Sequence, residues 1–118
     1  MIVTRKDAGK KIQLQVGDVV QIQLTGTPAT GFWWHFQALN EKSVEIIKTY
    51  TKSYTASGGV PKEMEGGPIM GVWQLQAKKA GTTTVGMAYY RSWEDVDTAK
   101  HRFCVTLQIN VKGVKHQK

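Results

Sequence analysis

The sequence holds a single cysteine, Cys104, in 118 residues, so no disulfide can form within the chain and a four-thiolate zinc site is excluded. No apolar run approaches the ~20 residues of a transmembrane helix. Met1 to Lys11 contains nothing like the apolar h-region of a secretory signal. The expectation is an intracellular protein by default, or a secreted, periplasmic or lysosomal one if a leader has been removed. Helical periodicity is missing throughout, and with it any glycine-rich phosphate loop opening onto a helix. His35, His101 and His116 are scattered without metal-ligand spacing, and Asp95-Val96-Asp97 lacks the glycine and distal glutamate of a calcium loop. No cofactor and no metal are expected.

Catalytic groupings are equally thin. His101 and Cys104 lie three residues apart on one predicted strand, so they point to opposite faces and form no dyad. Cys104 is expected on the outer face, unreactive. Glu63 and Glu65 fall in an aperiodic segment, a poor frame for fixed acid–base geometry. The chain is not expected to be an enzyme.

Anionic residues are also scarce, 9 Asp+Glu against 16 Lys+Arg, for a formal charge of +7. The excess sits at the ends. Arg5, Lys6, Lys10 and Lys11 face only Asp7 near the start, and Lys112, Lys115 and Lys118 close the sequence. The stretch between is nearly neutral. A nucleic-acid reader carries its cations on the folded surface among stacking aromatics. Here they read as a solubility feature of frayed ends, 1–10 and 113–118, on a single domain spanning 1–118. Neither a nucleic acid nor a membrane is expected as partner, and the free protein is expected to be a monomer.

What the sequence does contain is alternation. Ile12, Leu14 and Val16 alternate with glutamines, as do Val20, Ile22 and Leu24, and Trp73, Leu75 and Ala77. Val85, Met87 and Tyr89 repeat the pattern, and Phe103 to Val111 sustains it longest. Phe32-Trp33-Trp34-His35-Phe36 and Val44 to Tyr50 are strand-like by composition. Period-two alternation marks half-buried antiparallel strands. The expectation is an all-β antiparallel sandwich of about seven strands, near 11–16, 18–25, 32–37, 44–51, 72–79, 82–90 and 101–112.

The connections divide into two kinds. Those around Gly17, Leu39 to Ser43 and Lys78 to Gly81 are bland. The others are unusual: Thr25 to Gly31, Lys52 to Gly71, and Arg91-Ser92-Trp93 with its acidic tail. Strands running alternately up and down place all three unusual loops at one end, the layout of a binding module. In the first loop Pro28 fixes φ, extends Thr27, and Gly31 accepts positive φ cheaply. That describes either a stiff protruding tip or a plain turn. The second loop is long and aperiodic, hence functional or a floppy insertion. In the third, Arg91 and Trp93 are the residue types that dominate interface energetics. The alternative there is Trp93 folded back on the core edge, with Arg91 paired to Glu94 or Asp95.

Taken together, the loops resemble those of the chagasin-type inhibitors of cysteine peptidases. Thr27-Pro28-Ala29-Thr30-Gly31-Phe32 is similar to that family's Asn-Pro-Thr-Thr-Gly-aromatic motif, and Arg91-Ser92-Trp93 to its Arg-Pro-Trp motif. Thr27, Ala29 and Ser92 depart from the pattern. The middle-loop motif, Gly-x-Gly-Gly, finds its best counterpart in Gly66-Gly67 before Pro68, with Met64 where glycine is expected; another alignment uses Gly71. The resemblance runs from about Lys11 to Val111. It implies an immunoglobulin-like sandwich that blocks papain-like peptidases of the cathepsin L or B type, reversibly and without covalent chemistry. It also implies that the contacts come from Thr27 to Phe32, from Gly66 to Pro68, and from Arg91 to Trp93. The rival expectation is an adhesion or carbohydrate-binding module, suggested by Trp33, Trp34 and Tyr90.

Overall fold

The period-two segments are strands. The computed structural model describes residues 1–53 and 68–111. It comprises β1 (Ile2–Val3), β2 (Lys11–Gln15), β3 (Val19–Gly26), β4 (Phe32–Ala38), β5 (Val44–Ser53), β6 (Ile69–Ala77), β7 (Gly81–Arg91) and β8 (His101–Asn110). These form two four-stranded sheets, ordered β1-β3-β6-β5 and β2-β8-β7-β4. The triples β3-β6-β5 and β8-β7-β4 reproduce the two-sheet strand arrangement of an immunoglobulin sandwich.

The alternation explains the layers. Val20, Ile22, Leu24 and Leu75 from one sheet meet Val85, Met87, Phe103, Val105 and Leu107 from the other, all buried. The glutamines between them face outward, and Gln74 Nε2 donates to Gln21 Oε1 across the β3–β6 pair at 2.9 Å. A bulge between Ile46 and Lys48 interrupts the outer strand β5. Together with the exposed Lys48 and Lys52 it makes that edge a poor template for another chain.

Two expectations need correction. The sandwich is not wholly antiparallel, because β1 runs parallel to β3 and β2 parallel to β8. Nor are residues 1–10 a frayed end. Val3 is fully buried, Gln21 N donates to Met1 O at 2.8 Å, and Thr106 N donates to Lys10 O at 3.0 Å. The segment lines the edge of one sheet, crosses to the other through a single 3₁₀ turn (Arg5–Asp7), and lines that edge too. A crossing between sheets, unlike a hairpin, leaves a strand free to run parallel to its neighbour. The expected fraying of 113–118 falls outside the described residues.

Asp7 holds the crossing turn. Its Oδ2 accepts from Thr4 N at 2.9 Å and its Oδ1 from Lys10 Nζ at 3.2 Å. The Thr4 amide, then Lys10, hold this carboxyl below its ordinary value of 3.8. A depressed folded value means stability that is present above the ordinary value and lost as pH falls through the lowered one. Asp7→Asn should therefore lower the thermal midpoint slightly near pH 7, and the offset should shrink as pH falls below the ordinary carboxylate value. An offset that stays constant or grows on acidification would count against the assignment.

Candidate functional site

Strand register gathers the three unusual loops. In one sheet Gly26, where the first loop leaves, and Ser53, where the second leaves, both pair with Ile69, where the second returns. In the other, Phe32 pairs with Arg91 and Tyr89 with His101, so the first loop enters beside the third. The bland connections meet at the opposite end, where Gly17 N donates to Ala77 O and Lys78 N to Ser43 O, each at 2.8 Å.

The first loop is a stiff tip. Pro28–Thr30 form one 3₁₀ turn, with Thr30 N donating to Thr27 O at 2.9 Å and Gly31 N to Pro28 O at 2.8 Å. Thr30 Oγ1 adds a bond to Thr27 O at 2.6 Å. Gly31 closes the turn at φ 90°, where a side chain would be strained. Pro28, Ala29 and Thr30 are exposed. Of the second loop, Pro68 is exposed and precedes Ile69, which pairs with Gly26, and Gly66 and Gly67 lie outside the described residues.

The third loop settles two alternatives. Trp93 is 71% exposed, so it does not fold onto the core; one edge of its indole rests against Gly31, in the space a Cβ there would need. Arg91 does reach Glu94, at 3.6 Å, but its Nε also donates to Thr30 O at 3.0 Å. The acidic tail is ordered as a 3₁₀ turn, Val96–Thr98, with Thr98 Oγ1 donating to Asp95 O and Arg102 Nη2 to Val96 O.

Several expected site residues sit elsewhere than on the surface. Phe32, expected among the contacts, is only 8% exposed: it begins β4 pointing inward, stacked on Tyr89 at 5.6 Å with Arg91 4.4 Å from its centroid. It is a base for the loop. Gly71 lies inside β6, buried under Trp73 and Trp33, and so is no loop residue. The aromatic platform of the carbohydrate reading is absent among the described residues. Trp34 is buried with its Nε1 donating to Thr25 O at 3.0 Å, and Trp33 packs on Trp73 at 6.1 Å. Tyr89 was missed: its hydroxyl accepts from Thr27 N at 2.8 Å. The available signal was its place two residues before Arg91 and four before Trp93, on one side of an alternating strand.

Among the described residues the exposed tips include Pro28, Ala29, Thr30, Pro68, Ser92 and Trp93, and the Thr30 hydroxyl is bonded to Thr27 O and not to a general base. Cys104 is exposed but pairs with Gly86 far down β7. Such an end can recognise a surface and occupy it. The fold and site thus define a loop-presenting binding protein of the β-sandwich class.

Comparison with known proteins names the group. Residues 13–107 match the family model described as chagasin family peptidase inhibitor I42, and the chain belongs to that family. It is 30% identical to chagasin of Trypanosoma cruzi over 109 residues, 92% of this chain and 96% of chagasin. The crystal structure of the cysteine protease inhibitor EhICP2 from Entamoeba histolytica superposes with a TM-score of 0.80 at 26% identity, covering 92% of this chain and 94% of that one. PbICP-C, solved in complex with falcipain-2, shares the fold, with a TM-score of 0.54 at 16% identity over 95% of this chain and 90% of that one. The protein is a cysteine peptidase inhibitor and not an enzyme.

Proposed function

We propose that the protein inhibits papain-like cysteine peptidases reversibly and competitively, setting its three loops into and beside the active-site cleft without forming a covalent bond. The observation that carries this reading is the exposed Pro28–Thr30 turn standing beside the exposed Trp93 at one end of the sandwich. PbICP-C, with the same fold, is held in complex with falcipain-2, a peptidase of this type.

In this reading Thr27 to Gly31 enters the cleft, Gly66 to Pro68 flank it on one side, and Arg91 to Trp93 on the other. Ala29 and Thr30 are small enough to approach a catalytic thiol. Their backbone is wound in a 3₁₀ turn, not the extended form a peptidase cleaves. A pre-stiffened tip also avoids the ordering cost of about 0.5–1.5 kcal/mol per flexible side chain that docking otherwise imposes. Three loops suffice for the ~800 Å² per partner of a standard interface.

The test is titration against papain and cathepsin L. The expected result is a tight-binding curve whose apparent inhibition constant rises with substrate concentration, with the inhibitor recovered uncleaved. Full peptidase activity at micromolar inhibitor would overturn the reading.

A further inference from the structure

We infer that Tyr89, aided by Arg91, is a positioning residue: strand β7 sets the shape of the first loop, and so governs how fast the protein captures a peptidase. The inference rests on the proposed function for its consequence, though not for its geometry. Three alternate residues of β7 and its continuation grip the loop in succession. The Tyr89 hydroxyl accepts from Thr27 N at 2.8 Å, Arg91 Nε donates to Thr30 O at 3.0 Å, and the Trp93 ring covers Gly31.

Tyr89 stands where the chain changes sheets. Gly26 is the last residue of β3 paired to Ile69, and the next amide, Thr27 N, has no strand partner. It is followed by Pro28, which has no N–H, so it is the last backbone donor at this corner on the β3 side. A partly buried amide left without an acceptor is unfavourable. The Tyr89 hydroxyl supplies the acceptor from the opposite sheet.

That hydroxyl is itself held still. The Tyr89 ring is 8% exposed and lies against Phe32 at 5.6 Å, Trp34 at 5.1 Å and His101 at 5.6 Å. It reaches the corner because Gly26 has no side chain: a Cβ there would come within 2.8 Å of Tyr89 Cε1 and 2.8 Å of Trp33 Cζ3. Gly26, Thr27 and Tyr89 thus form one latch. Opened, it frees Thr27 to leave the backbone angles that start the 3₁₀ turn, and only the closed fraction is competent to dock. A fractional loss of competent molecules lowers the apparent association rate by that fraction and leaves dissociation of the formed complex alone.

The experiment is Tyr89→Phe, which keeps the ring and removes one oxygen. Against papain, association should slow measurably, by at most about fivefold, the ceiling set by one hydrogen bond, with dissociation unchanged within twofold. Hydrogen exchange at Thr27 N in the free protein should quicken while the amides of Val105 and Leu107 keep their protection. Arg91→Gln, should it fold, should act in the same direction through Thr30. Unchanged association and unchanged Thr27 exchange would overturn the latch, as would a loss confined to dissociation. If the wild-type protein itself fails to inhibit papain, the proposed function falls, and the exchange measurement still decides the latch.

Discussion

Trp93→Ala should weaken inhibition of papain by roughly 2 kcal/mol or more, about thirtyfold, and leave the fold intact. Trp93 exposes 71% of its surface, so its removal takes nothing from the core. What it removes is a large rigid aromatic at the rim of the docking end, the kind of group that carries interface energy at low entropic cost. The loss should fall mainly in dissociation, because the bonds from Tyr89 to Thr27 and from Arg91 to Thr30 still hold the loop when the indole is gone. A variant that inhibits as well as the parent would remove Trp93 from the interface.

Gly71→Ala should act on stability. A Cβ at Gly71 would lie 2.5 Å from Trp73 Cη2 and 2.7 Å from Trp33 Cζ2. Both indoles are large and rigid; Trp73 is 5% exposed, with Trp33 against it at 6.1 Å and Phe36 edge-on at 6.4 Å. Trp73 is enclosed and Trp33 is packed against it, so overpacking should cost about 2 kcal/mol and lower the thermal midpoint by roughly 8 °C. Calorimetry decides it. A midpoint within a degree of the parent would mean that the two rings move together more freely than their contacts suggest.

Much of this architecture was legible before any coordinates. The five alternating segments and the two strand-like by composition between Lys11 and Asn110 are the seven long strands, because a half-buried strand writes its two faces into the sequence. The end carrying the unusual loops followed from counting strand reversals. The start of β6 was placed too late: Gly71 read as loop punctuation, whereas Ile69 and Met70 already pair with Gly26 and Thr25. β1 is only Ile2–Val3, too short to show a period, and its parallel partner is set by a tertiary crossing that no local pattern encodes. Phe32 was expected among the contacts because its motif is contiguous, and strand parity turns its ring inward. Strand parity puts Tyr89 on the side of Arg91 and Trp93, but its bond to Thr27 and the space left for it by Gly26 span the sandwich, and no local pattern marks that pairing.

The pairing of β2 with β8 joins residues 11–15 to 106–110. Contacts between such distant stretches must meet the entropy of closing nearly the whole chain before they return any stabilisation. Sandwiches of this connectivity assemble in milliseconds to seconds, against microseconds for small helical bundles. During synthesis the amino-terminal strands wait beside the ribosome until the last one has been made. In that interval their unpaired edges are open to other chains.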